Sequence, residues 1–447
     1  MSMPPTPIVR LAENPKTNRL RDRWRDFGRP PRLMGVDVAR GLAIFGMIGA
    51  HVGIVWMVAG PDGPDLAAIV QGRSSILFAV VAGISVALAT GRGRLPRGEA
   101  LRSARLRMAG RALVVLALGL ALEMLGSGIA VILPIYGILF LILIPFLGLR
   151  RRTLALTAVA IAVAGPTVVA LLRAVTLSGT GIPQGIGGTA VDFLISGSYP
   201  LTVWLPLVLA GMALGRLRLD RVRTAAVLFG SGVGLAAFGY GLGDAFNGTV
   251  RGWLSGWGSV SSSSALSSSG VSSLLPGSSS SMRPDARRYL ERLSEVDLGA
   301  ALSQAWGVSP HSGGTWEIIG SGGFAFAVVG ACLLAARPLR ALLVPLAAVG
   351  SMPLTAYTAH VVSFAVLISP LALAPGLTSW DGDPAVSGWF WVGCVGVLLA
   401  ACTAWALSRG RGPLESLVAA VARRVDLPAD NGEAPPPIPR NEQAVSR

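Results

Sequence analysis

The sequence predicts an all-α fold, a polytopic membrane helix bundle of about ten transmembrane helices with both termini in the cytoplasm. Charged residues make up 14% of the chain and hydrophobic residues 52%, whereas about a quarter of an ordinary soluble protein is charged. Long apolar runs recur along the chain, and each can cross the hydrocarbon of a bilayer as a helix. The arginines, which carry nearly all of the positive charge, cluster in short segments between these runs, as they do in cytoplasmic loops.

The elements follow in order along the chain. Residues 1–33 are basic and polar, and a first span is predicted over 35–58. Further spans are predicted at 66–90, 112–126, 129–149, 153–175, 199–217, 222–244, 316–336, 339–368 and 386–408. The run at 339–368 is long and interrupted by Gly350 and Pro353, so a short interfacial helix followed by one span is an alternative.

The loops support this count. With ten spans, every short arginine-containing loop falls on the cytoplasmic side, namely 91–111, 150–152, 216–223, 337–340 and 409–411. The predicted domains are a cytoplasmic tail at 1–33, a membrane region at 34–244, an extracytoplasmic serine-rich loop at 245–315, a second membrane region at 316–420 and a disordered tail at 421–447. A surface helix is expected within the long loop at 283–306.

The first span carries three ionisable side chains, Asp37, Arg40 and His51. His51 follows Arg40 by eleven residues, so the two lie on nearly the same helix face, about 16 Å apart along the axis. Ionisable groups at this depth usually face a protein interior or a watery cavity. Guanidinium groups at the inner mouth suit the phosphates of a nucleotide-like donor, and a histidine nearer the outer face suits general-base or nucleophilic chemistry.

Further polar residues are expected in the outer half of the bundle, where they would shape a substrate site. They are Gln71, Arg73, Glu317, Tyr357 and His360. His311 is expected at the rim of this zone, where solvation or gating is the interpretation that we favour over chemistry.

Interpretations without chemistry stay open for several of these residues. Asp37 and Arg40 can form an i,i+3 pair that fixes a helix end. His51 and His360 can hydrogen-bond to neighbouring helices as packing groups. Arg73 can pair with Glu123 to avoid an isolated charge.

Two classes of partner are not expected. The histidines lack the spacing of a ligand motif, so no metal is predicted. The arginines flank membrane spans and form no separate basic domain, so nucleic acid is not predicted as a partner.

Two families share features of the first span. The stretch RLMGVDVARGLAIFGMIGAHV at 32–52 resembles the first helix of bacterial relatives of heparan-α-glucosaminide N-acetyltransferase. The spacing from Arg40 to His51 also resembles the signature of inner-membrane glycan O-acyltransferases. The second half resembles an uncharacterised membrane domain often fused behind that region, through GSYPLTVWLPLVLAGMALGRL at 197–217, HSGGTWEIIGSGG at 311–323, GSMPLTAYTAH at 350–360 and RGPLES at 411–416.

The resemblance implies acyl transfer from cytosolic acetyl-CoA or another acyl-CoA to a glycan or glycolipid acceptor beyond the inner (plasma) membrane. A histidine would act as base or as transient acyl carrier. In the lysosomal heparan-α-glucosaminide N-acetyltransferase, the catalytic histidine lies after the first helix. This chain has PDGPDLAAIVQGRSS at 61–75 there, without a histidine. His51 would therefore take that role, with Arg40 and Asp37 on the donor side. The alternatives are a transporter or flippase that uses the same polar track, and a scaffold without turnover.

Overall fold

The computed structural model of the chain describes residues 22–29, 32–52, 72–127, 129–179, 200–257, 303, 305–309, 312–367 and 384–426. Over these residues the protein is helical, and no strand is present among them. The helices are α1 (Met34–Val52), α2 (Arg73–Ala89), α3 (Gly98–Glu123), α4 (Leu133–Ile142), α5 (Arg151–Gly179), α6 (Leu201–Gly215), α7 (Val222–Trp257), α8 (Thr315–Ala335), α9 (Arg340–Ser351), α10 (Pro353–Leu367), α11 (Pro384–Ser408) and α12 (Pro413–Asp426). The predicted helical membrane bundle is confirmed.

Helices occupy every predicted span, but they differ in length. Among the described residues, four stretches are long and apolar enough to cross a membrane, namely Arg151–Leu172, Val222–Thr249, Thr315–Ala335 and Gly388–Ser408. The bent pair α9 and α10 would make a fifth. The count of about ten crossings stays a prediction.

The bundle has a buried centre and an apolar exterior. Helices α1 and α2 supply many of the fully buried side chains, among them Ile44, Ile48 and Ile84. Helices α5, α7 and α11 instead expose large apolar side chains, such as Leu156 at 71% and Val397 at 67% exposure. A lipid environment accounts for such faces, because hydrocarbon solvates them and water does not.

Helix α1 lies at the centre because glycines let other helices approach its backbone. A Cβ atom at Gly350 of α9 would overlap the carbonyl oxygen of Asp37, and one at Gly41 would overlap the carbonyl oxygen of Leu346. On another side, a Cβ at Gly35 would meet the backbone of Leu333 in α8 at 2.6 Å. Such close backbone contact between helices is the packing that small residues permit in membranes.

Three predicted boundaries were wrong or incomplete. Residues 98–111, predicted as loop, are the first half of α3, because arginines interspersed with alanine and leucine keep a segment out of the membrane without breaking a helix. Helix α7 continues to Trp257, past the predicted loop start at 245. Helix α12 runs through 420 to Asp426. Most of the surface helix expected at 283–306 lies outside the described residues.

The predicted interruption of the 339–368 run is present. Helices α9 and α10 meet at Met352 with a bend of 75°. The bend follows from Pro353, which cannot donate an amide hydrogen to continue α9 but is well suited to the first position of a new helix.

Loops at the α2–α3 side of the bundle are tied together by Arg216. Its guanidinium donates to the backbone carbonyls of Arg92 at 3.1 Å and Leu147 at 2.8 Å. Burial lowers the pKa of this guanidinium below its usual range. The contacts join the segments that follow α2, α4 and α6.

Candidate functional site

The first turns of α1 hold a buried charge network. Asp37 is 6% exposed, and its carboxylate accepts from Nε of Arg32 at 2.7 Å and from Nη1 of Arg40 at 2.9 Å. Arg40 also donates to the hydroxyl of Ser85 at 2.7 Å and to the carbonyl oxygen of Gly350. The predicted i,i+3 pair of Asp37 and Arg40 is therefore present, and it ties α1 to α2 and α9.

The last turn of α1 brings His51 against a histidine from the second half of the chain. Nδ1 of His51 lies 3.1 Å from Nε2 of His360 in α10. The two rings are nearly parallel, with 5° between their planes. His360 is 2% exposed and His51 is partly buried. A hydrogen bond needs one donor and one acceptor, so one of these two ring nitrogens carries a hydrogen and the other does not. The bond fixes the orientation of both rings.

Comparison with known proteins identifies the region that holds most of these residues. Residues 32–229 match the family described as heparan-alpha-glucosaminide N-acetyltransferase, catalytic. They form a heparan-alpha-glucosaminide N-acetyltransferase-like region. No curated protein and no solved structure matches the chain.

This N-acetyltransferase-like region contains α1 to α6 and the start of α7, and therefore Asp37, Arg40 and His51. His360, Gly350 and Glu415 lie beyond its end at 229. The predicted resemblance of the second half to a fused membrane domain stays a prediction. The candidate site thus combines side chains of the matched region with side chains from outside it.

At the bend, the C-terminus of α9 and the N-terminus of α10 lie next to each other. Backbone groups at both helix ends form hydrogen bonds to charged side chains. The Gly350 carbonyl, at the end of α9, accepts from Arg40. At the start of α10, Glu415 accepts from the backbone N–H groups of Leu354 at 2.7 Å and Thr355 at 3.2 Å. A cation at a helix C-terminus and a carboxylate at an N-terminus are the stabilising arrangements. This capped bend aims α10, and with it His360, at α1.

Two other predicted substrate residues have structural partners. Glu317 accepts from the backbone N–H of Gly313 at 2.7 Å and from the hydroxyl of Ser312 at 3.1 Å, so it anchors the segment that leads into α8. Tyr357, one turn before His360, is buried, and its oxygen accepts from the backbone N–H of Ile132 at 3.2 Å.

Arg73 lies at the start of α2 over aromatic rings. Its guanidinium carbon is 4.5 Å from the ring centroid of Tyr240 and 5.7 Å from that of Phe324. Glu123 is exposed at the end of α3, and no ion pair joins it to Arg73 among the described residues. The alternative pairing of Arg73 with Glu123 was wrong, because the guanidinium of Arg73 makes cation–π contacts with the two aromatic rings instead.

Two residues of the sequence-based site lie outside the described part of the chain. They are Gln71 and His311. Within the described part, no group of three or more histidine, cysteine, aspartate or glutamate side chains could hold a metal ion.

The contacts of three residues around the charge network were not predicted from the sequence. Ser85, Gly350 and Glu415 contact Arg40 or the bend of α9 and α10. A signal existed for Glu415, since it belongs to RGPLES at 411–416, one of the stretches through which the second half resembles a fused membrane domain. No sequence signal pointed to Ser85, because serine is common in apolar membrane helices as a small residue that lets helices pack closely.

Proposed function

We propose that this protein is a membrane acyltransferase of the inner (plasma) membrane. It moves an acyl group, acetyl by the family resemblance, from cytosolic acyl-CoA to a glycan or glycolipid of the cell envelope. The match at 32–229 supports the reaction class. The observation that carries the proposal is the contact of His51 with His360, because it holds an imidazole of the matched region in one orientation inside the bundle.

His51 is the general base. When its Nδ1–H donates to Nε2 of His360, the lone pair needed for proton abstraction is on Nε2 of His51. His360 then accepts a hydrogen bond from the imidazolium that forms and stabilises it, as the third residue of a catalytic triad does for its histidine. It belongs to a helix whose start is held by Glu415.

The transfer step balances with these groups. Nε2 of His51 takes the proton of the acceptor hydroxyl or amine while the acceptor oxygen or nitrogen attacks the thioester carbonyl carbon. The carbon–sulfur bond breaks, and the thiolate of coenzyme A leaves. It takes the proton back from His51, which returns the imidazole to its starting state. The products are the acylated acceptor and free coenzyme A.

Arg40 and Asp37 serve the donor side of this reaction. Because Arg40 is held by Asp37, Ser85 and Gly350, it has a fixed position and acts on the donor through its charge. Its distance from His51, about 16 Å along α1, suits a long donor whose phosphates and thioester lie far apart. Arg73 with the residues near the start of α2 would line the acceptor side.

Radiolabelled acetyl-CoA tests the proposal directly. The purified full-length chain in proteoliposomes receives acetyl-labelled acetyl-CoA and a crude envelope fraction as acceptor. We expect label in the envelope material, and a His51→Gln variant with unchanged melting temperature should lose about 10²- to 10⁴-fold of that rate. Full transfer in His51→Gln would exclude the base. Movement of envelope lipid between leaflets with no transfer would favour the flippase instead.

A further inference from the structure

Helix α12 follows directly after the last predicted membrane span. The apolar stretch of α11 ends at Ser408, and α12 begins at Pro413. The turn between them folds back on α11, because Nε1 of Trp405 donates to the carbonyl oxygen of Arg411 at 3.0 Å. The guanidinium carbon of Arg409 lies 4.9 Å from the ring centroid of Trp405. Tryptophan and arginine at the end of a span are typical of the membrane–water interface, so α12 begins at the membrane surface.

One side of α12 packs against the bundle. Val418 is 2% exposed, and a Cβ at Gly110 of α3 would meet Cα of Ala422 at 3.3 Å. Both acids of the helix lie on this side. Glu415 accepts from the start of α10, and Asp426 accepts from a serine hydroxyl of α3 at 2.7 Å. At 100° per residue, these four positions of α12 cover about 80° of its circumference.

A second side of α12 is apolar, and the described part of the bundle leaves it open. It is formed by Leu414, Leu417, Val421 and Val425, which lie within about 80° of each other around the helix. Leu417 is 52% exposed and Val425 is 42% exposed. The centre of this side is about 100° from the centre of the side that packs on α3 and α10. Packing on the bundle therefore leaves an apolar surface beside the protein.

The remaining side of α12 is basic. Arg423 and Arg424 are exposed, and neither forms an ion pair with a described residue. Arg424 is about 20° around the helix from Leu417, so it borders the apolar side, whereas Arg423 is about 160° from the centre of that side. Because Glu415 and Asp426 are engaged by the bundle, the charge that α12 presents outward is positive.

The adjoining turns of α3 have the same character. A carboxylate oxygen of Asp426 lies 3.2 Å from Nη1 of Arg107, which places this part of α3 beside the end of α12. Leu106 and the side chains of Arg102 and Arg107 are exposed here. Glu99 is the one acid between 98 and 111, against four arginines. The surface around α12 therefore combines apolar side chains with positive charge.

We propose that α12 lies in the membrane–water interface and binds an anionic phospholipid of the adjoining leaflet. Its apolar side contacts the acyl chains through Leu417 and Val425, and Arg424 binds the phosphate of the headgroup. Amphipathic helices bind membranes in this way, with basic side chains that attract anionic lipids. Arginine suits the border of the apolar side, because its methylene groups cover apolar surface while its guanidinium stays at the level of the phosphates. This lipid contact is independent of acyl transfer.

The short turn after α11 favours a lipid over a soluble protein as the occupant. From Ser408 to Pro413 the backbone can cover at most about 17 Å, so the start of α12 stays where headgroups and acyl chains are present. A zwitterionic lipid would cover the apolar side but bring no net counter-charge to Arg424. An anionic lipid does both.

Fluorescence quenching tests the position of the apolar side. Full-length Leu417→Cys and Ser416→Cys proteins are labelled with bimane and reconstituted in vesicles of phosphatidylcholine and phosphatidylglycerol. Both positions are exposed and lie about 100° apart around α12, so Ser416→Cys is the matched control. A nitroxide lipid should quench the label in Leu417→Cys at least about twofold more strongly than in Ser416→Cys, and iodide in the water should quench in the opposite order. The unaltered protein, treated in the same way, gives the background from the native cysteines.

Two results would overturn the lipid contact. Quenching of Leu417→Cys by iodide alone would place the apolar side in water. Quenching by neither reagent would show that protein covers this side, either a partner or a second copy of the chain. Val425→Cys repeats the measurement at the second exposed apolar position, so that a folding defect in one variant does not decide the result.

Lipid retention tests the contact with the headgroup. The protein is extracted from the same vesicles in a mild detergent, and native mass spectrometry measures bound phosphatidylglycerol relative to bound phosphatidylcholine. We expect the unaltered protein to retain phosphatidylglycerol preferentially, and Arg424→Gln to lower this preference by about twofold or more. Arg423→Gln is the matched control, because it removes the same charge one residue away on the far side of the helix, and its loss should be smaller. Arg424→Lys should keep most of the preference, since the charge stays at the border of the apolar side.

The retention measurement can also contradict the assignment. Equal retention of the two lipids by the unaltered protein would exclude an anionic lipid as the occupant. Equal losses in Arg424→Gln and Arg423→Gln would exclude the specific contact of Arg424, because net charge alone would then account for the retention. Melting temperatures of all variants in the same vesicles are the control for folding.

Discussion

Nδ1 of His51 lies 3.1 Å from Nε2 of His360, although 309 residues separate the two in the chain. His51 lies in the last turn of α1 inside the N-acetyltransferase-like region, and His360 lies in α10 beyond it. The other ring nitrogen of His360, Nδ1, is buried and has no hydrogen-bond partner among the described residues.

Substitution of His360 tests whether it supports His51. In His360→Gln the side-chain amide can still form one hydrogen bond to His51, so we expect a loss of about tenfold in kcat with little change in the KM for acyl-CoA. His360→Phe removes the hydrogen bond but keeps a ring of similar shape, and should lose about a hundredfold. Initial rates of labelled acetyl transfer at varied acetyl-CoA concentration measure both parameters.

A double-mutant cycle separates partnership from packing. If His360 acts through His51, the His51→Gln/His360→Phe double variant should be no slower than His51→Gln alone. Losses that multiply would show that the two residues act independently. Melting temperatures of all variants serve as the control for folding.

Gly350 should be indispensable to the packing of α9 on α1. Its missing side chain lets α9 touch the carbonyl of Asp37, so Gly350→Ala should lower the free energy of unfolding by about 1–3 kcal/mol through forced separation of the helices. Thermal unfolding in detergent measures the change. Gly396→Ala in α11 is the matched control, because a Cβ there meets no described atom within 4 Å, and it should be neutral or stabilising.

Glu415 should stabilise the bend that aims α10. Glu415→Ala removes the acceptor for the N–H groups of Leu354 and Thr355, which should lower the free energy of unfolding by about 1–2 kcal/mol, as the loss of a helix cap does. Glu99→Ala is the control, since Glu99 is 91% exposed and its nearest arginine is 4.0 Å away. Equal melting temperatures of the two variants would contradict a capping role for Glu415.

Much of the fold could be predicted because its signals are local. Apolar runs in hydrocarbon must be helical to satisfy their own backbone, so hydropathy alone places α2, α5, α6 and α8. The pair of Asp37 and Arg40 is predictable for the same reason, since three residues apart on one helix are neighbours. The helical structure of residues 98–111 was not predicted, because clustered arginines indicate the cytoplasmic side of the membrane but do not show whether the segment is helix or loop.

The site could be predicted only in part. Nothing local relates His51 to His360, since their meeting depends on the 75° bend at Met352 and on the approach of Gly350 to α1. Long-range side-chain pairs of this kind follow from helix packing, which a single sequence does not encode in any short pattern.

Asp37 should stabilise the fold by neutralising buried positive charge at the start of α1. The chain offers two aspartate–arginine pairs of the same i,i+3 spacing in different surroundings. The side chains of Asp37 and Arg40 are 9% and 13% exposed, whereas those of Asp26 and Arg29 are 60% and 59% exposed. Asp37→Asn leaves Arg40 buried without its counter-charge, so the free energy of unfolding should fall by about 3–5 kcal/mol. Asp26→Asn should change it by less than about 1 kcal/mol, because water already solvates both charges. Thermal unfolding of the two variants in the same detergent measures the difference, and similar losses in both would mean that the network at the start of α1 is no more than a surface ion pair.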